Sequence, residues 1–260
     1  MNIHLYSLPD QIPSGALDGR IAIVVDVLRA STTIVTALFH GASAVAACQT
    51  IAEAKQRSLS FDSASPPLLG GERGGQPIDG FDLSNSPSEY LPERIEGRSV
   101  VFTTTNGTRA LRMCQGRGSQ SNIGAADEIL IGCFANLSTL SGYLLRQNKP
   151  VSIVCSGTDG QPTFEDILFG GALIASLSEN GSSSWDVSAK SAAIAWETVS
   201  RQMQMPGGKP LWHFLMKSLG GKNLVNLGLQ ADIELAAKVD DRPVLAKWDP
   251  KTDLIVVDSN

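Results

Sequence analysis

Four polar segments of this chain hold more reactive side chains than packing alone would ask for: DVLRASTT (26–33), GGERGGQPIDGFDLSNSP (70–87), TTTNGT (103–108) and CSGTDGQPTFED (155–166). Asp26 follows an apolar run and precedes Arg29 by three residues. A carboxylate there can bind a metal, or it can cap the next helix or pair with Arg29. Ser31, Thr32 and Thr33 stand where a helix should begin, and free N–H groups with a positive dipole end suit a phosphate. The same hydroxyls serve equally as caps with no ligand. Thr104, Thr105, Asn106 and Gly107 repeat the arrangement as a nest of amide donors, with an Asn-Gly pair that tolerates left-handed backbone. In the last segment Glu165 and Asp166 occupy the first turn of an expected helix, where acids favour the dipole and one can also face a site. Cys155 is expected to be structural, because position 161, where a cysteine phosphatase would need arginine, is Gln.

Asp26, Glu72, Asp79, Asp82, Glu165 and Asp166 together supply more acid than an anionic substrate tolerates without a cation. Oxygen ligands point to Mg²⁺ or Ca²⁺ rather than zinc. Arg29, Arg73 and Arg109 would then meet the anion through fork-like hydrogen bonds. The alternative for each is a surface ion pair worth ~0–1 kcal/mol. His4, His40 and His213 lie apart from these segments, so no histidine ligand set is expected, and Leu211, Trp212, Phe214 and Leu215 read as packing.

Strands and helices must position these groups. IAIVV, VVF and VSIVC are short runs that are apolar apart from Ser152, each followed by a polar turn and a helical pattern. Further strands are expected at 44–48, 128–133 and 253–258, and a helix over 187–203 after a linker-like stretch at 175–186. Apolar strands alternating with helices indicate a layered α/β/α fold with a mostly parallel or mixed sheet. Ligands in such folds gather beyond the carboxyl ends of strands, where the polar segments begin. The 260 residues suit a single domain, with one sheet or two similar lobes both open. A net charge of -5 argues against a general nucleic-acid partner. Four scattered cysteines, no basic-then-apolar leader and no apolar run of ~18 residues lead to the expectation of a reduced, cytoplasmic protein without a membrane partner. A homodimer is the default expectation for its assembly.

DVLRASTT, GGERGGxxIxGFDxxNSPxE, TTTNGTRA and CSGxxGxxxxED, in this order, resemble the magnesium-dependent 2-phosphosulfolactate phosphatase family over roughly residues 3–245. The resemblance implies an α/β fold particular to that family. It also implies hydrolysis of 2-phospho-3-sulfolactate to sulfolactate and phosphate, a step on one route to coenzyme M. On this reading Mg²⁺ is held by Asp26 with some of Glu72, Asp82, Glu165 and Asp166, and Asp26, Arg29, Glu72 and Arg73 form the catalytic group. Ser31, Thr32, Asn85, Ser86, Thr104, Thr105, Asn106, Gly107, Ser156 and Gly157 would bind the substrate. Ser84 stands where the family pattern leads us to expect glycine.

Other readings remain open at this level. Asp26 could form a phosphoaspartate, although Leu28 stands where related chemistry places a second acid. The substrate could be another phosphorylated hydroxy acid. A non-catalytic binder of phosphate or sulfonate metabolites could use the same helix termini, but it would gain nothing from so many carboxylates.

Overall fold

The computed structural model describes residues 1–117, 124–178 and 184–258. Residues 179–183 of the linker-like stretch fall outside the described residues. The first half of the chain alternates strand and helix: β1 (Asn2–Tyr6), β2 (Ile21–Val25), α1 (Ala30–Phe39), β3 (Ala44–Cys48), α2 (Ile51–Ser58), β4 (Leu68–Arg73), β5 (Gln76–Pro77), α3 (Pro92–Ile95), β6 (Ser99–Thr103) and α4 (Gly107–Cys114). The second half continues with β7 (Glu128–Gly132), α5 (Leu137–Gln147), β8 (Val151–Cys155), α6 (Phe164–Ser178), β9 (Ser184–Trp185) and α7 (Val187–Gln204). Three short helices, α8 (Leu211–Leu215), α9 (Leu219–Asn226) and α10 (Gln230–Ala236), precede the hairpin β10 (Ala246–Asp249) and β11 (Leu254–Val257).

The strands form one mixed sheet in the order β5-β4-β6-β3-β11-β10-β7-β2-β8-β1-β9. Two parallel blocks, β4-β6-β3 and β7-β2-β8-β1-β9, are joined through the antiparallel β10–β11 hairpin. Alternation in β2 explains why both faces are covered: Ile21, Ile23 and Val25 enter the core under α5, α6 and α7, while Ala22 and Val24 enter the core around α1 and α4. That second core also takes Val45, Val100 and Phe102 from the other block, so the sheet curls around α1 and α4. The curl brings the loops after β2 and β6 together, although these strands are far apart in the sheet order.

The stretch 70–87 is not one long loop as its glycines suggest. Its first four residues belong to β4, paired in parallel with β6 through Gly70↔Phe102 and Gly71↔Thr103. A Cβ at Gly70 would collide with the Tyr90 hydroxyl, and one at Gly71 with the Thr103 carbonyl. These glycines mark close backbone approach inside a sheet. All four cysteines are free and buried, and among the described residues no helix is long and apolar enough to cross a membrane.

Candidate active site

Asp26 leaves the fully buried β2 and is itself only 8% exposed. Its Oδ1 accepts the Ala30 N–H at 3.2 Å, and its own N–H donates to Ser31 Oγ at 2.9 Å. Thr32 Oγ1 donates to the Val27 carbonyl (2.8 Å) and Thr33 Oγ1 to the Asn85 carbonyl (2.9 Å). The hydroxyls of DVLRASTT therefore hold the turn and its neighbour in place. Two parallel loops then meet at Asp166, which accepts the Val27 N–H at 2.9 Å and the Gly157 N–H at 3.1 Å. Glu165, 1% exposed, lies beneath α9, where a Cβ at Gly220 would collide with its Oε1.

These acids crowd a dry place with little cationic compensation. Burial, and then the charge of Asp166, push Asp26 up to about 8. Burial pushes Glu165 up to about 7, with Asp26 adding to it, and burial followed by the charge of Glu165 does the same to Asp166. Three buried polar atoms near these loops have no hydrogen-bond partner: Glu165 Oε2, Asn85 Oδ1 and Ser156 Oγ. Buried polar atoms are normally satisfied, so these orphans are consistent with a ligand that binds beside them.

Glu72, 7% exposed, crosses from β4 to the TTTNGT turn, accepting the Thr105 N–H (2.7 Å), the Gly75 N–H (2.7 Å) and the Thr105 hydroxyl (3.3 Å). The Thr105 donor is thus engaged by Glu72. Thr104 Oγ1 receives the Thr108 N–H at 3.4 Å, at the start of α4. Gly107 is not left-handed; it is glycine because a Cβ would stand 2.7 Å from both Asp26 Oδ2 and the Ala30 Cβ.

A cleft of about 310 Å³ opens beside these loops, and Gly220, whose Cβ would meet Glu165, is part of its lining. Leu28, Arg29, Glu72, Asn85, Thr105 and Asn106 line one side, and Thr158 and Asp159 continue from the turn after β8. α9 closes the opposite side with Gly220, Asn223 and Asn226. Arg29 is held by a buried ion pair to Asp232 of α10 at 2.6 Å and by the Gly75 carbonyl at 3.1 Å. Ser86 donates to the other Asp232 oxygen at 2.6 Å.

Several expected site residues are placed elsewhere. Arg73 spends its guanidinium on the Glu72 carbonyl (2.6 Å), the Gln49 carbonyl (2.7 Å) and the Thr103 hydroxyl (2.6 Å), tying β4 to its neighbours. Asp82 is exposed and accepts the Leu69 N–H at 2.8 Å, in β4 rather than at the acid cluster; Asp79 is also exposed. Arg109 pairs with Asp10 at the surface. Cys155 is buried, and burial followed by the charges of Asp166 and Glu165 raises its thiol well above its ordinary value, which suits a packing role. Ser84 accommodates the missing glycine without left-handed backbone, its hydroxyl and N–H both going to Glu89.

Residues 6–250 match the 2-phosphosulpholactate phosphatase family. The chain belongs to that family. Among its relatives, a probable 2-phosphosulfolactate phosphatase of Caldanaerobacter subterraneus subsp. tengcongensis is 35% identical over 247 residues, covering 95% of each chain. A protein of the same name from Carboxydothermus hydrogenoformans is 31% identical over 260 residues, covering 100% of this chain and 98% of its own. Another from Symbiobacterium thermophilum is 36% identical over 234 residues, covering 90% of this chain and 93% of its own.

Sequence reasoning missed the contribution of α9 and α10. A signal for Asp232 existed: in QADIELA it precedes Ile233 and lies one turn from Ala236, so the acid sits on the buried face of its helix. For Asn223 and Asn226 the only hint was polarity beside the Gly220–Gly221 pair, which is glycine because Glu165 and the Leu215 carbonyl leave no room for a side chain.

Proposed function

We propose that this chain is a phosphatase that hydrolyses 2-phospho-3-sulfolactate to sulfolactate and phosphate, assisted by Mg²⁺. The observation that carries the reading is a buried, oriented Arg29 in the wall of a 310 Å³ cleft, with the under-compensated acid Asp26 three residues before it on the same turn. A cleft of that size accommodates a three-carbon acid bearing two further anionic groups.

The donor set fits Mg²⁺. Acids pushed up to about 7 and 8, together with an orphaned Glu165 oxygen, are what a bound divalent charge would relieve. Among the described residues no three His, Cys, Asp or Glu side chains form a ready cage. Mg²⁺ is usually held through one or two carboxylates and retained waters, so the ion we propose needs no more than two of these acids. Asp26 and Asp166 are the carboxylates we assign to it, with Glu165 beside them. When bound, the ion would supply charge neutralisation at the phosphoryl oxygens.

The chain's own residues supply the rest. Arg29 binds phosphoryl oxygens and stabilises charge that grows in the transition state. Asn85, Asn106, Asn223 and Asn226 offer amide donors to the remaining anionic groups without adding net charge. Glu72 keeps the Thr105 turn closed against the cleft. Leu28 lines the cleft where a phosphoaspartate enzyme would place a second acid, which favours direct attack by water.

The test is phosphate release from 2-phospho-3-sulfolactate, with Mg²⁺ and with EDTA, beside phospholactate and phosphoglycerate. Metal-dependent turnover that favours the sulfonate supports the reading. Equal turnover of all three removes the named substrate, and none at all removes the hydrolysis.

A further inference from the structure

We infer that Asp232 is a positioning residue for anion binding: it holds the Arg29 guanidinium aimed into the cleft and away from Asp26 on the same turn. The inference rests on the cleft being a phosphate-ester site.

Arg29 belongs to a turn that also carries Asp26, three residues earlier, and its side chain is 3% exposed. Left alone, a buried guanidinium on the same turn as Asp26 and in the same cleft lining as Glu72 would bond to one of them, neutralising acid and arginine together. It does not. Its Nη1 goes to Asp232 Oδ2 at 2.6 Å and its Nη2 to the Gly75 carbonyl at 3.1 Å. Arginine has five N–H donors, so these bonds leave others for the cleft that Arg29 lines.

Asp232 is itself fixed. It is 3% exposed, and its Oδ1 accepts the Ser86 hydroxyl at 2.6 Å, which is also 2.8 Å from Ser88 Oγ. The chain Ser88–Ser86–Asp232–Arg29 therefore links the end of the glycine-rich segment, α10 and the turn after β2. No acid other than Asp232 is paired with Arg29 among the described residues. A carboxylate fixed at both oxygens leaves the guanidinium little choice of direction, and small misplacements of a binding group are costly. An anion arriving in the cleft meets donors already oriented, and this arginine is spent on neither Asp26 nor Glu72.

Inorganic phosphate is the probe, titrated calorimetrically into the full chain in the presence of Mg²⁺. Asp232→Ala should weaken phosphate binding about 10- to 100-fold. Asp232→Asn, which keeps the size and one acceptor, should weaken it less, and Ser86→Ala less again. The decisive comparison is made in an Arg29→Lys background, where Asp232→Ala should change phosphate affinity less than about twofold, since coupled residues are not additive. A purely structural Asp232 would lower the melting temperature and leave the affinity as it was, or would weaken binding equally in both backgrounds; either result overturns the inference. Should Asp232→Ala fail to fold, Asp232→Asn and Ser86→Ala carry the same comparison. A chain that binds phosphate but hydrolyses no ester loses only the proposed function, whereas one that binds no phosphate loses this inference.

Discussion

The two ends of strands β2 and β7 both gather carboxylates, and they treat them oppositely. At the amino end, Glu128 accepts the Tyr143 hydroxyl at 2.6 Å and lies 2.9 Å from Lys247 Nζ, which is also 3.2 Å from Asp258. Partial burial works against the Glu128 charge, yet the bonds from Tyr143 and Lys247 and the nearby lysines outweigh it and hold the carboxyl below its usual range. At the carboxyl end, Asp26, Glu165 and Asp166 are driven upward, because burial is joined by mutual repulsion and, among the described residues, no lysine pairs with them. Matched charge is a structural device, whereas unmatched buried charge is retained at a cost and points to a ligand. The difference separates two acid clusters that look alike in composition.

The largest expected effect comes from changing the unmatched end. Asp26→Asn should lower Mg²⁺-dependent phosphate release by about 10²–10³-fold, the scale of losing one well-placed electrostatic group in an active site. The same variant should leave the metal-free fold intact, since it removes repulsion. Full turnover in Asp26→Asn, assayed under the wild-type conditions, would sink the assignment of Asp26.

Next in size is the pH dependence of metal-free stability. Unfolded Asp and Glu titrate near ~4. In the folded chain Asp26 titrates at about 8 and Glu165 and Asp166 at about 7, so between ~4 and these values the folded state holds protons that the unfolded state has lost. Stability from this end is greatest below ~4 and falls as pH rises toward 8. Glu128 acts with the opposite sign, contributing above its unfolded value and losing that contribution as pH falls through its lowered folded value. Urea unfolding from pH 5 to 8 in EDTA should therefore show declining stability in the wild type and a shallower decline in Asp26→Asn, with Mg²⁺ flattening both. A wild-type curve that rises over this range would mean the acids are compensated by something else.

Much of this contrast was legible in the sequence, and the reasons are physical. IAIVV is apolar at every position, and VSIVC at every position but Ser152, because both faces of their strands are buried; Asp26 stands out directly after the first run and Glu165–Asp166 after the turn that follows the second. Arg73 and Asp82 looked alike as site candidates because a side chain's type does not reveal its partner. Backbone carbonyls at Glu72 and Gln49 claim the first, and the Leu69 N–H claims the second. Gly70 and Gly71 read as loop although they serve a close strand pairing, since composition does not separate a turn from a steric need. Asp232 stayed hidden because its partner lies 203 residues away.

The matched end offers the smaller test. Lys247→Met leaves Glu128 and Asp258 without their shared lysine, and because that site is partly open to water the expected loss is about 1–2 kcal/mol by urea unfolding, with turnover within about twofold of wild type. No change in stability would mean that Tyr143 and Lys149 suffice to hold Glu128, and the contrast between the ends would rest on the acids at the carboxyl end alone.

Smallest of all is the pair between Arg109 and Asp10, with side chains 44% and 49% exposed. Arg109 follows the TTTNGT turn and carries the same charge as Arg29, yet water already solvates both partners of its pair. Arg109→Ala should cost no more than ~0.5 kcal/mol and leave phosphate release unchanged. A large drop in turnover would show that Arg109 leaves Asp10 to reach the substrate, and burial would then no longer separate the arginine that binds from the one that decorates the surface.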